Sequence, residues 1–106
     1  MAGKPGRHLK RMEKLNTTEC LWLYILKILS DGGPSHAYVL RKEIEELFGF
    51  RPGTVTAYKV LYDLQQMGLV TKKSSGMKQI YAITEAGRGD LKRAVSFYRA
   101  LAKKLG

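Results

Sequence analysis

Residues 54 to 68 read Thr54-Val55-Thr56-Ala57-Tyr58-Lys59-Val60-Leu61-Tyr62-Asp63-Leu64-Gln65-Gln66-Met67-Gly68. Ala57, Val60, Leu61, Leu64 and Gly68 recur at i, i+3, i+4, i+7 and i+11, the spacing of one buried stripe along an α-helix. Thr54 is placed to cap that helix and Gly68 to stop it. The opposite face then carries Val55, Thr56, Lys59, Tyr62 and Asp63, with Tyr58 at the border. Its hydroxyls, phenols and single cation suit contact with a polar partner more than packing.

Upstream, Ala37, Leu40, Ile44, Leu47 and Phe48 form the apolar stripe of a second helix starting near Ser35 and ending at Gly49, joined to the first by Arg51-Pro52-Gly53. His36 at its start reads as a surface or capping residue. Asp31-Gly32-Gly33-Pro34 turns the chain out of an earlier helix that runs to about Ser30. Asn16 with Glu19 has the spacing of a capping box opening that helix, and Thr17 or Thr18 is the alternative cap. Between Leu21 and Leu29 every residue but Lys27 is apolar, so the helix needs cover on all sides. A domain this small covers one side; a second copy is expected to cover the other.

Downstream, Leu69 to Lys73 and Lys78 to Ile83 read as two strands joined by Ser74-Ser75-Gly76-Met77. Thr84 caps a last helix whose Leu91, Val95, Tyr98, Ala102 and Leu105 alternate by four and three, widened by Ala94 and Leu101. Gly87 and Gly89 weaken its first turn. Its 85 to 105 span is about 31 Å at the usual helical rise, too long for the small core to cover, so a partner helix is again expected.

This order of elements is mainly α with a small β-hairpin: a winged helix-turn-helix with a three-helix core, a wing and a C-terminal dimerisation helix. Residues 1–14 are read as a basic, flexible N-terminal arm, with apolar helical spacing only toward its end at Leu9, Met12 and Leu15. The DNA-binding domain spans 15–83 and the dimerisation helix 84–106. In such a fold the third helix enters the major groove. Thr56 would offer its hydroxyl to base edges, Tyr58 its phenol to phosphate, and Lys59 its charge to phosphate or guanine. Thr54 and Tyr62 are further candidates on the same helix, and Lys72, Lys73 and Lys78 of the hairpin would meet flanking phosphate. The expected dimer interface comprises Leu21, Trp22 and Ile25 of the early helix and Leu91, Val95, Tyr98, Leu101, Ala102 and Leu105 of the last.

Charge supports a polyanionic partner. The 106 residues hold 19 Lys and Arg against 9 Asp and Glu, a formal charge of +10, on a composition that is 44% hydrophobic and therefore globular. The excess is uneven: Lys4, Arg7, Lys10, Arg11 and Lys14 face only Glu13 at one end. At the other, Arg88, Lys92, Arg93, Arg99, Lys103 and Lys104 face Glu85 and Asp90. Glu43, Glu45 and Glu46 cluster between them. An enzyme is not expected, because two His, one Cys and scattered carboxylates offer no metal spacing and no nucleophile beside a base. No phosphate-cradling glycine loop is present either, so no cofactor is expected. Cys20 is alone and reads as a buried thiol. The longest apolar run is far short of a membrane span, and the basic N-terminus lacks a secretory cleavage pattern, so a cytoplasmic, nucleoid-associated protein is expected.

Three motifs, in this order and spacing over roughly residues 20 to 91, resemble the PadR family of winged-helix transcriptional regulators. Gly33-Pro34-Ser35-His36-Ala37-Tyr38 is similar to the family's G-P-x-x-G-Y turn. Thr56-Ala57-Tyr58, Leu61, Leu64, Gly68 and Leu69 follow its T-V-Y-x-x-L-x-x-L-x-x-x-G-L recognition helix, and Lys78, Tyr81, Ile83, Thr84 and Gly87 its R-x-x-Y-x-L-T-x-x-G wing exit. Ala37, Ala57 and Lys59 stand where the family usually has Gly, Val and Pro. The single C-terminal helix resembles the smaller PadR-like subfamily, which implies a homodimer built from first and last helices, binding to a pseudo-palindromic operator on double-stranded DNA, and repression. It also implies a small-molecule effector among interface aromatics, with Trp22 as the candidate. The rival expectations are an architectural protein that coats DNA through charge, and a winged helix used for protein contact alone.

Overall fold

Leu26, Leu29 and Leu61 have no exposed surface, and Ile25, Leu40, Ile44 and Leu64 retain only 1% each. These side chains mark the point where three helices cross in the computed structural model, which describes residues 3 to 106. The elements are α1 (Arg7–Leu15), a 3₁₀ turn (Thr18–Cys20), α2 (Leu21–Gly32), α3 (Ala37–Phe48), α4 (Thr54–Gln66), β1 (Val70–Ser75), β2 (Lys78–Ile83) and α5 (Glu85–Leu105). Each fully buried Leu or Ile contributes roughly 1.5–3 kcal/mol. The described residues include no buried polar or charged residue, so the core is closed by apolar contact alone. Cys20 is a free, half-buried thiol.

α2 lies at the centre, packed on α3, α4, α5 and the wing. The expected capping box at its start does not form. Asn16 instead closes α1, its Nδ2 donating to the Met12 carbonyl at 2.8 Å, and the Thr17 hydroxyl donates to the Glu13 carbonyl at 2.7 Å. Short polar side chains can satisfy backbone groups at either end of a helix, and here a helix precedes them as well as follows. Most of the expected arm is thus helical, from Arg7 to Leu15, while Met1 and Ala2 lie outside the described residues.

The α3 stripe holds at Ala37, Leu40 and Ile44 and ends there: Leu47 is 68% exposed and Phe48 40%. The last turn of α3 overshoots the core, and Phe48 meets the edge of Tyr24 instead, with ring centroids 4.8 Å apart. Phe50 packs on Tyr24 likewise at 5.1 Å. In α4 the cap is Gly53 and Thr54 is the first helical residue, with no side-chain bond to the helix end.

The wing is an antiparallel pair running from Val70 opposite Ile83 to Ser75 opposite Lys78, closed by Gly76-Met77. Gly76 takes φ +64, a conformation that glycine adopts without steric cost. A bridge that the sequence does not advertise joins Ser35 to Tyr81, through backbone bonds of 2.9 and 2.8 Å. It ties the turn before α3 to the middle of β2.

Thr84 caps α5 as the sequence predicts, accepting from the Gly87 amide at 3.0 Å while donating to the Gly68 carbonyl at 2.7 Å. Gly87 does more than weaken that turn: a Cβ there would stand 2.3 Å from the Leu69 carbonyl oxygen and 2.8 Å from Ile83 Cγ1. Only glycine allows α5 to start this close to the wing. Gly89 meets nothing but the flexible Arg93 head. Gly87→Ala therefore costs about 1–3 kcal/mol of overpacking, whereas Gly89→Ala leaves stability unchanged or raises it by up to about 1 kcal/mol. Denaturant unfolding of the two variants is the check.

Burial raises the phenol pKa values of Tyr24, Tyr81 and Tyr98 above the ordinary tyrosine value. The neutral form is thus favoured in the fold, and its stabilising contribution is complete below pH of about 10. It is lost as pH rises through the raised values, because the unfolded chain releases these protons first. Unfolding curves at pH 9 and 11 should show a drop that shrinks in Tyr24→Phe and Tyr98→Phe.

Candidate nucleic-acid interface

Because Ala57, Leu61 and Leu64 are buried, the remaining faces of α4 are turned to solvent. Thr54, Thr56, Tyr58, Lys59 and Tyr62 are all exposed, Tyr58 by 48% and Tyr62 by 59%, with Val55 beside them at 82%. The loop ahead of this helix is held from behind. Arg41 of α3 donates from Nε to the Pro52 carbonyl at 2.9 Å, and Arg51 reaches Glu45 at 3.5 Å. The loop that launches α4 is thereby fixed to α3.

Lys72, Lys73 and Lys78 are exposed on the wing. The strand register separates them, because directly paired residues share a face. Lys72 pairs with Tyr81 on the face toward the core, while Lys78 pairs with Ser75 and Lys73 with Ile80 on the other. Among the described residues, no ion pair engages Lys59 or the wing lysines. Their charges are free to meet an anion.

Between α4 and the wing runs a groove of about 570 Å³, into which Tyr58 and Lys78 are brought together with His36 and Tyr38 from the start of α3. His36 holds the wing through Nδ1 and the Gln79 carbonyl at 3.1 Å, and Tyr38 is 62% exposed. Neither was a sequence-level candidate. The signal that would have found Tyr38 is that a large aromatic follows Ala37 on the polar side of the α3 stripe.

The residues expected at a dimer interface divide. Leu21 and Ile25 retain 2% and 1% exposure and are filled into the protomer's own core, so they leave no surface for a partner. The apolar length of α2 is mostly consumed by α3, α4, α5 and the wing packing around it. Trp22 is half-buried and lines a groove of about 470 Å³ with Asp90, Arg93, Ala94, Phe97 and Tyr98. Leu91 packs on the core. Tyr98 is half-buried, its hydroxyl donating to Asn16 Oδ1 at 2.6 Å. Val95, Leu101, Ala102 and Leu105 are exposed, and Phe97, missed in the sequence, is 64% exposed.

A three-helix core, a turn leading into an outward-facing helix and a two-stranded wing define a winged helix. No helix among the described residues is long and apolar enough to cross a membrane, and no three metal-ligating side chains cluster there. The chain belongs to the PadR-like family of transcriptional regulators, whose model matches residues 25 to 93, and this is a family of regulators rather than of enzymes. No curated protein sequence matches it. Among solved structures, the Thermoplasma acidophilum protein TA0346 is 30% identical, with a TM-score of 0.67 over 83% of this chain and 91% of its own. A PadR family transcription regulator from Clostridium difficile shares the fold at 20% identity and a TM-score of 0.71, over 79% and 92% of the two chains. F93 from STIV, a winged-helix DNA-binding protein, shares it at 14% identity and a TM-score of 0.68, over 78% and 90%.

The Arg41 contact carries a direct expectation. Arg41→Met removes a charged donor from the Pro52 carbonyl and should cost about 1.5–3 kcal/mol, less whatever water recovers at this partly exposed site. Chemical denaturation measures the loss.

Proposed function

We propose that this chain is a DNA-binding transcriptional repressor that acts as a homodimer on a pseudo-palindromic operator. α4 enters the major groove, where Thr54, Thr56 and Lys59 meet base edges and Tyr58 and Tyr62 meet the sides of the groove. Lys73 and Lys78 meet the flanking backbone from the wing, with Lys72 behind them. The observation that carries this reading is the exposed outer face of α4, engaged in no ion pair among the described residues, launched from a loop that Arg41 bonds to α3 and flanked by exposed wing lysines. The exposed apolar side chains of α5 support the second copy. Two copies would present two α4 helices to half-sites about one helical turn of DNA apart. The groove beside Trp22 is where a small-molecule effector would reach the dimer helix, and the cytoplasm is where such a regulator would work.

A second reading, an architectural protein that coats DNA regardless of sequence, is favoured by one observation: most of the net charge lies outside the recognition helix. The two separate on salt and on substitution. For the regulator, Thr56→Ala and Lys59→Ala each cost about 1–3 kcal/mol on the preferred site and much less on unrelated DNA. For the coating protein, both variants bind all DNA alike and the affinity simply falls steeply with salt. Fluorescence anisotropy with specific and unrelated duplexes at several salt concentrations distinguishes these outcomes.

A further inference from the structure

α4 and the wing are separated by the groove of about 570 Å³ that also takes in the start of α3. A helix lying in the major groove of a duplex and a wing resting on its flank stand on either side of one sugar-phosphate strand, because that strand divides the two grooves. On the DNA-binding reading proposed above, backbone has to pass between α4 and the wing. The walls of this gap are fixed without any partner. Ser35 and Tyr81 exchange backbone bonds of 2.9 and 2.8 Å, and His36 Nδ1 lies 3.1 Å from the Gln79 carbonyl.

The groove offers donors and no anion. Lys78 is the one charged side chain lining it among the described residues, and no carboxylate does. Tyr38 and Tyr58 line it too, and no side-chain hydrogen bond or ion pair among the described residues engages either phenol or the Lys78 ammonium. His36 is half-buried, and its two ring nitrogens differ. The Gln79 carbonyl only accepts, so Nδ1 carries its proton whether the ring is neutral or charged. Nε2 is then the nitrogen that gains and loses a proton. On the neutral ring it presents a lone pair, which repels a phosphate oxygen; on the charged ring it presents an N–H, which donates to one. Protonation places a second cation near Lys78 with no carboxylate in the groove to balance it. An anion from outside the protein is the missing partner.

We infer that this groove seats a phosphodiester of the DNA backbone, held by Lys78, the phenols of Tyr38 and Tyr58 and the protonated His36 ring, so that binding a duplex takes up a proton. The interface is thereby extended to α3, and affinity rises as pH falls through the histidine range. The groups that face His36 are Tyr38 on α3, Tyr58 on α4, and Lys78 and Tyr81 on β2. Ordinary phenols, ammonium groups and phosphodiesters do not change charge between pH 5.5 and 7.5, which leaves the histidine.

His8 is the other histidine of the chain, so the test is made in H8Q, by fluorescence anisotropy of a mixed-sequence duplex at low salt and by NMR titration of the His36 ring with and without that duplex. A phosphate that raises the proton affinity of the ring about tenfold makes the duplex bind about fivefold more tightly per protomer at pH 5.5 than at 7.5. In H8Q/H36Q, where the glutamine amide can still donate to the Gln79 carbonyl, the difference should fall below about twofold. The His36 titration midpoint in H8Q should move to higher pH when the duplex is added. An equal pH response in both variants, or a midpoint that the duplex leaves in place, overturns the seat and leaves DNA binding standing. The same upward move with millimolar inorganic phosphate in place of the duplex would assign the groove to a free phosphate compound and overturn the backbone contact. Absence of binding to any duplex at either pH overturns both the seat and the DNA-binding reading.

Discussion

The end of α4, the exit of the wing and the start of the long C-terminal helix are held by one threonine. Thr84 donates to the Gly68 carbonyl and accepts from the Gly87 amide, so its hydroxyl spends both capacities on fixing three elements at one corner. Gly87 makes that corner possible by letting α5 approach the Leu69 carbonyl more closely than any side chain would permit. From this constraint the rest follows. α4 cannot turn relative to α5 without breaking the corner, so any arrangement of two α5 helices dictates the spacing and angle of two α4 helices. A regulator reading a two-fold site requires that coupling.

Much of this was legible in the sequence because the helices are strongly patterned. The α4 stripe of Ala57, Leu61 and Leu64 is buried as its spacing predicts, and Thr84 caps where a threonine before a helical run should. What misled was composition read without competition. Leu21 and Ile25 were expected at an interface because α2 is apolar nearly all round, but three helices and the wing surround it within one protomer. Asn16 and Thr17 were expected to open α2 and instead close α1, since their side chains bond to carbonyls behind them. Helix propensity marks Gly87 as a weak point, whereas the deciding fact is a carbonyl oxygen brought near by tertiary packing. His36 and Tyr38 join Tyr58 and Lys78 only through the bridge between Ser35 and Tyr81, a long-range pairing that no local pattern announces.

The distribution of charge now has a structural meaning. α4 contributes one cation and one anion, Lys59 and Asp63, whereas α1 and α5 carry most of the excess on faces that their apolar stripes leave outward. The proposed function places attraction and discrimination in different parts of the chain. On the proposed function, the end helices would supply a field that draws any duplex, and the hydroxyls, phenols and single lysine of α4 would meet the bases.

The central claim is that this division yields sequence selectivity. Selection of bound duplexes from a random DNA pool at physiological salt tests it most directly. The account predicts enrichment of an inverted repeat with half-sites about one turn apart, bound at least about 10³-fold more tightly than unrelated DNA. An unenriched pool, with affinity set by salt concentration alone, would contradict it.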